Sequence, residues 1–254
     1  MLGWFAVALR PRTRKLSVRR AARIQESLRP HIILRAPRAL RAPRLVAGAD
    51  VSYDPYSDTI WSAVVVFGFP GMEILDRAGA QGRATFPYIP GYLSFREIPI
   101  LVKALERIRR VPDLILCDGQ GIAHPRGFGL ASHLGLLLGI PTIGCAKSRL
   151  VGEHGPVGRS RGAASALMYG GRRVGTVLRT REGVNPIYVS PGHLIDATTA
   201  TRLALRCCRG RRLPEPTRQA HIEVNRLRLI ARAQGDRGLA NKGSTPAGGL
   251  AAAW

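Results

Sequence analysis

The sequence predicts a single α/β domain in which helices flank a mixed β-sheet. Three observations support this fold class. The chain has 254 residues and is 45% hydrophobic, so it can bury one sizeable core. Strand-like segments separated by turn residues come first. From about residue 94, helix-like and strand-like segments alternate, which is typical of an α/β sheet.

The two ends of the chain differ from the middle. Residues 1–20 carry six Lys and Arg residues and no acid, and we interpret them as a flexible basic arm. "AARIQESLRPHIIL" then predicts a short amphipathic helix. Residues 234–254 are rich in small residues and lack periodicity, which indicates a disordered tail. The folded domain is therefore expected at 21–233.

The first three strands are expected to form an antiparallel meander, because turn residues ("PYSDT", "PG") separate them. Their segments are "LVAGADVSYD", "IWSAVVVFGFP" and "MEILDRAGAQGRATF". A helix over 94–110 leads to "PDLILCDGQG", whose apolar run is typical of a strand in the centre of a sheet. The later segments are a helix ("FGLASHLGLLLG"), a strand ("PTIGCAKS"), a hairpin ("RRVGTVLRT" with "PIYVSPGH") and a closing helix ("DATTATRLALRCC") with Asp196 as its N-cap.

The formal net charge of +23 indicates a partner made of phosphate units, since Arg offers bidentate contacts to phosphate. A solvated, Arg-rich surface without this function is the alternative. The longest apolar runs are shorter than the roughly 20 residues of a membrane span, and no signal peptide is expected. The four cysteines include no C-x-x-C pair, so neither a zinc site nor a disulfide framework is predicted. We expect a cytoplasmic protein.

Three acidic residues occupy positions that the predicted topology can bring together. Asp50 lies at the polar end of the first strand, and Asp118 directly follows "LILC". If these strands are neighbours, both carboxylates face one crevice, and Glu97 in the first turn of the intervening helix lies within reach. Converging carboxylates repel unless a divalent cation lies among them, and oxygen ligands favour Mg²⁺ or Mn²⁺. Each acid alone also fits an ordinary turn or helix-start role, so both readings stay open.

Basic groups accompany these acids. His124 lies in the glycine-rich loop "GQGIAHPRGFG", whose glycines permit close approach to a ligand. Lys147 ends the strand "IGCAKS" and suits a phosphate contact, although a surface lysine is the ordinary alternative. His221 in "PTRQAH" fits an ordinary histidine as well as a ligand.

The stretch "FPYIPGYLSFREIP" contains three prolines and two tyrosines. Proline fixes the backbone, so such a segment loses little entropy on insertion into a partner. Together with "VAGADVSYD", "LILCDGQGIAHPRGFGLASHLGLLLGIPTIGCAKSRLVGE", "VGTVLRTREGVNPIYVSPGH" and "LPEPTRQAH", it resembles the endonuclease V family. These stretches run in order from about residue 45 to 221. The family consists of deoxyinosine-directed nucleases with a ribonuclease-H-like fold.

The resemblance implies a role for each matching position. Asp50, Glu97 and Asp118 would be the acids of the metal site with His221 near them, while His124 and Lys147 would act beside the scissile phosphate. The segment Pro87, Tyr88, Ile89 and Pro90 would be a wedge with Tyr88 as its tip, and Gly91, Gly121 and Leu150 would shape the pocket for the flipped base. Cleavage is expected at the second phosphodiester bond 3′ to the lesion, leaving 3′-hydroxyl and 5′-phosphate ends.

Three alternatives remain at this point. The chain could cut inosine-containing RNA, since several polar groups could read a 2′-hydroxyl. It could bind nucleic acid without cutting it, but then loss of one or more carboxylates would be expected. It could be another ribonuclease-H-like enzyme, such as a Holliday-junction resolvase, which would share the acids and not the wedge. We expect a monomer that acts on DNA.

Overall fold

The computed structural model describes residues 16–242, with side chains as far as residue 234. Within these residues, eight strands form one mixed sheet, and five α-helices pack around it. The strands are β1 (Leu45–Tyr53), β2 (Thr59–Gly68), β3 (Ile74–Arg83), β4 (Leu114–Cys117), β5 (Thr142–Ala146), β6 (Ala164–Tyr169), β7 (Arg172–Leu178) and β8 (Ile187–His193). The helices are α1 (Val18–Leu28), α2 (Leu93–Leu105), α3 (Leu130–Leu138), α4 (Ala197–Arg206) and α5 (Glu215–Lys242), with short 3₁₀ turns at Arg29–His31 and Arg38–Arg41. The predicted mixed α/β sheet is confirmed.

The strand order is β3-β2-β1-β4-β5-β8-β7-β6. Strands β1, β2 and β3 form the predicted antiparallel meander, and β7 and β8 form the predicted hairpin. Strand β1 runs parallel to β4, with Ala49 opposite Cys117. Because both strands run in the same direction, the residues that follow this pair meet at the same edge of the sheet.

Helices cover both faces of the sheet. On one face, α2 and α3 bury Leu101 and Leu134 against Ile115 of β4. On the other face, α4 and α5 bury Leu203 and Ala220 against Leu116. Strand β4 thus has apolar neighbours on both sides, which explains its uninterrupted "LILC" sequence.

Three elements differ from the sequence prediction. Strand β6 and helix α5 were not predicted, and α5 extends to Lys242, past the tail boundary at residue 234. The apolar residues of α5 do not follow a clear helical period, because Ile222 and Leu229 are exposed while Val224 is buried against the sheet. At the other end, α1 starts at Val18, inside the predicted arm. Residues 1–15 and 243–254, which hold most of the predicted arm and tail, lie outside the described residues.

Candidate active site

Two carboxylates meet at the carboxyl end of β4, beside the neighbouring strand β1. Asp50 lies inside β1, and Asp118 follows β4, where its backbone N–H donates to the Ala49 carbonyl at 3.2 Å. Helix α5, which packs on one face of the sheet, supplies His221. Ligand atoms of Asp50, Asp118 and His221 all lie within 4.8 Å of one another. The parallel pairing of the strands therefore brings together residues that are far apart in the sequence.

Asp50 is fixed by two hydrogen bonds. Its Oδ1 accepts from the Val51 N–H at 2.8 Å, and its Oδ2 pairs with His221 Nδ1 at 2.8 Å. Burial raises the pKa of Asp50, and repulsion from Asp118 adds to the rise, while the His221 hydrogen bond opposes it. The same bond raises the pKa of His221. Asn225 Nδ2 lies 3.2 Å from His221 Nε2, so the imidazole is held from both sides.

Lys147 directly follows β5 and lies at the same edge. Its Nζ donates to Asp118 Oδ2 at 2.6 Å. Because β5 is parallel to β4, its carboxyl end reaches the same crevice. The ammonium group is half-exposed and can also face an incoming phosphate.

Glu97 lies beside this cluster, in the second turn of α2 and not in the predicted first turn. The Tyr53 hydroxyl donates to Glu97 Oε1. Burial raises the pKa of Glu97 to about 8, and the charges of Asp50 and Asp118 contribute to the rise. Among the described residues, the closest ligand group consists of Asp50, Asp118 and His221, with Glu97 as their buried neighbour.

The donor chemistry of this group fits a divalent cation. Two carboxylates approach closely at a site where burial and their mutual repulsion disfavour ionisation of Asp50. A cation between them offsets that repulsion, and carboxylate oxygens suit Mg²⁺ or Mn²⁺. His221 adds a nitrogen donor on the solvent side.

The proline-rich segment projects from the surface next to these acids. Tyr88 is 61% exposed, and Pro87 and Pro90 are exposed, while Ile89 is partly buried. Phe86 anchors the segment because it is buried against Phe95, with ring centroids 5.8 Å apart. We call Pro87–Pro90 the wedge. The Tyr88 ring meets the ring of Tyr53 edge-on at 6.2 Å, so the wedge contacts the residue that holds Glu97.

A cavity of about 350 Å³ joins the wedge to the acids. Its lining includes Tyr88, Pro90, Gly91, Glu97, Asp118, His124, Lys147 and Leu150. Gly91 has φ +79°, a conformation that favours glycine. Gly121 lies behind this lining, since a Cβ added there would come 2.0 Å from the Pro191 carbonyl oxygen. Gly121 therefore permits close packing of its loop on β8.

His124 is almost fully buried and contacts the residue that follows the wedge. Its Nε2 lies 2.9 Å from the Gly91 carbonyl oxygen. Burial lowers the pKa of His124 to about 4, so the ring is neutral at physiological pH. The structure thus places His124 under the wedge and in the lining of the same cavity as Asp118 and Lys147.

Sequence reasoning missed two residues that hold site side chains. Tyr53 lies in the quoted stretch "VAGADVSYD", and nothing in that pattern marks it as the partner of Glu97. Asn225 lies four residues after His221, a spacing that places both on one helix face. That spacing would have been informative if α5 had been predicted.

Comparison with known proteins gives one consistent result. The family model for endonuclease V matches residues 26–222. Endonuclease V of Myxococcus xanthus is 46% identical over 224 residues, which cover 87% of this chain and 95% of that protein. Among the described helices, none combines the length and the apolar character needed to cross a bilayer.

Two solved structures show the same architecture. Endonuclease V from Streptomyces avermitilis superposes with a TM-score of 0.80 at 41% identity, covering 85% of this chain and 95% of that one. Endonuclease V from Ciona intestinalis superposes with a TM-score of 0.72 at 28% identity, covering 82% and 96%. The Ciona protein was solved in complex with a 24mer DNA containing an inosine followed by a ribo-adenosine.

Proposed function

The chain belongs to the endonuclease V family, and we therefore propose that it cuts DNA that contains deoxyinosine, the product of adenine deamination. Members of this family are nucleases that hydrolyse phosphodiester bonds. The proposed cut is at the second phosphodiester bond 3′ to the lesion and leaves 3′-hydroxyl and 5′-phosphate ends. The observation that carries this proposal is the continuous cavity from the exposed Tyr88 to the carboxylate of Asp118.

The proposed cofactor is Mg²⁺, with Mn²⁺ as a substitute, held by Asp50 and Asp118 with His221 beside them. Such a cation would neutralise the negative charge that develops on the reacting phosphate. The Asp50–His221 hydrogen bond keeps the Asp50 carboxylate in position. Lys147 would offer its ammonium group to the phosphate, and Glu97, buried beside the two aspartates, would be a further carboxylate ligand for the cation.

The proposed recognition step uses the wedge and the cavity. A base outside the stack would enter the cavity, which Gly91 and Leu150 line near the wedge. Its volume of about 350 Å³ lies in the range of small-ligand pockets. Tyr88 would stack in the position that the base has left. A mispaired hypoxanthine costs less to extrude than a matched base, which adds selectivity.

Nicking assays on matched oligonucleotides test this function. We expect Mg²⁺-dependent cutting of a duplex with one deoxyinosine, mapped to the second bond 3′ of the lesion, and no cutting of the same duplex with adenine. An RNA strand with one inosine and a four-way junction distinguish the endoribonuclease and resolvase alternatives. Binding of the inosine duplex without any cutting would instead support a non-catalytic protein and contradict the proposal.

Replacing Tyr88 with Ala should weaken binding of the inosine duplex by roughly tenfold, because base–aromatic stacking contributes about 1–3 kcal/mol. The maximal rate at saturating enzyme should change much less, since Tyr88 is not part of the carboxylate group. Gel-shift titration and single-turnover cleavage measure the two effects. Tyr56→Ala is the control, because Tyr56 is also highly exposed but lies in the β1–β2 turn. Equal affinities of wild type and Tyr88→Ala would contradict the wedge role.

We propose that the protein acts as a monomer in the cytoplasm. The wedge, the cavity and the carboxylates all come from one chain, so no second copy is needed to complete the site. The four cysteines are buried free thiols, which fits a reducing compartment.

A further inference from the structure

The carbonyl oxygen of Gly91 is the most crowded acceptor next to the wedge. It lies 3.1 Å from Gln25 Nε2, 2.9 Å from His124 Nε2 and 2.6 Å from an Arg126 terminal nitrogen. A carbonyl oxygen has two lone pairs, so three side chains on one oxygen exceed its usual capacity. Gly91 directly follows the wedge, and these three side chains therefore fix the point where the wedge joins the domain.

Gln25 belongs to α1 and is fully buried. Its Nε2 also donates to the Phe128 carbonyl at 3.1 Å, and its Oε1 accepts from Arg126 Nε at 2.6 Å. Both carbonyl oxygens can only accept and Arg126 can only donate, so the orientation of the amide is fixed. Although Gln25 borders the cavity, its donors and its acceptor are engaged by protein groups.

The other two donors are fixed as well. His124 Nδ1 accepts from the Arg126 backbone N–H at 3.2 Å, so the proton of the neutral ring is on Nε2, which donates to Gly91. The Arg126 guanidinium stacks 4.1 Å above the ring of Tyr92, which lies on the other side of Gly91. A Cβ added to Gly91 would come 3.0 Å from the same guanidinium. The side chains of Gln25, His124 and Arg126 are therefore in close contact with Gly91.

We propose that Gln25 is a positioning residue that, together with His124 and Arg126, holds the base of the wedge in its inserting conformation. This inference rests on the proposed function. A held wedge meets the nucleic acid already ordered, so the entropy of ordering it is not lost during binding. Without the clamp, the wedge must be ordered in the complex. The cost then falls on lesion binding and leaves the phosphate chemistry unchanged.

Two substitutions test the role of Gln25. Gln25→Met keeps the length of the side chain without its hydrogen bonds, and Gln25→Glu keeps the acceptor for Arg126 but loses both donors to carbonyls. In single-turnover cleavage of an inosine duplex with Mg²⁺, we expect the half-saturating enzyme concentration to rise about tenfold for each. The maximal rate should stay within about twofold of wild type. Ser27→Ala, on the exposed side of α1, should match wild type in both quantities.

A fluorescent base reports wedge insertion directly. With 2-aminopurine beside the inosine and no divalent cation present, wild type should raise the fluorescence as the wedge unstacks the base. Both Gln25 variants should need about tenfold more protein for the same rise. The double variant Gln25→Met/Arg126→Met should show less than the product of the single effects, because both side chains contact one oxygen.

The outcomes separate this inference from the proposed function. Unchanged half-saturation and fluorescence in both Gln25 variants would overturn the clamp, as would a lower maximal rate at unchanged half-saturation. Independent effects in the double variant would overturn it too. Thermal unfolding checks that each variant is folded. If Gln25→Met does not fold, the result for Gln25→Glu decides whether the clamp exists. A wild type that cuts no inosine duplex would refute the proposed function and the clamp with it, whereas a cutting wild type matched by its variants refutes only the clamp.

Discussion

Replacing Asp118 with Asn should reduce the cleavage rate of an inosine duplex by at least about a thousandfold, since the charge it provides to a bound cation is worth several kcal/mol. Asn keeps the shape and one oxygen of the side chain, so the loss would come from the charge. It also leaves Lys147 Nζ without its anionic partner at 2.6 Å. Lesion binding should persist because the wedge is untouched. Single-turnover cleavage at saturating enzyme measures the rate, and gel shift measures binding.

The control for Asp118 is Asp58→Asn, which makes the same charge change at an exposed position before β2. It should cut at close to the wild-type rate. Titration with Mg²⁺ adds an independent readout, because Asp118→Asn should need a higher Mg²⁺ concentration for its residual activity. If Asp118→Asn cuts at more than about a tenth of the wild-type rate, the proposed metal site at β1 and β4 is wrong.

Replacing Gly48 with Ala should lower the free energy of unfolding by about 3 kcal/mol, at the upper end of the usual cost of overpacking. The added Cβ would lie 1.9 Å from the Pro216 carbonyl oxygen and 2.1 Å from its carbon. Both are backbone atoms, so no side-chain rotation relieves the clash. Helix α5 would have to move away from β1. Urea denaturation followed by circular dichroism gives the change.

The control for Gly48 is Gly155→Ala, where the nearest atom to an added Cβ is Ser165 Oγ at 3.5 Å, an ordinary contact. Its unfolding free energy should stay within about 0.5 kcal/mol of wild type. Folded Gly48→Ala should also lose activity, because displacement of α5 separates His221 from Asp50. An unchanged denaturation midpoint for Gly48→Ala would contradict the close contact between α5 and β1.

The acids of the site could be located from the sequence because they follow from strand topology. Asp118 directly follows an apolar strand, and Asp50 lies in the neighbouring parallel strand directly after Ala49, which pairs with Cys117, so both side chains reach one crevice. Lys147 follows by the same rule. The position of His221 could not be predicted in this way, because it depends on α5. The exposed Ile222 and Leu229 of that helix make its apolar pattern irregular. Strand β6 is short and mostly exposed at the sheet edge, so its pattern is equally weak.

The group around Gly91 could not be predicted for a different reason. Its acceptor is a backbone oxygen, which every residue has, so the sequence carries no mark of it. Gln25 reaches it across 66 residues and Arg126 across 35. His124 lies 33 residues from Gly91 in the sequence, and only the three-dimensional contacts show that its ring reaches this oxygen.

The contact between β1 and α5 also sets the order in which the site is completed during translation. Asp50 and His221 are 171 residues apart, so the ribosome needs roughly 10–30 s to synthesise the second after the first. A nascent chain that already displays both aspartates therefore lacks the imidazole and the helix that covers β1. If the Asp50–His221 pair is needed for cleavage, we expect nuclease activity to appear only after α5 has docked on β1, so that unfinished chains leave nearby nucleic acids uncut.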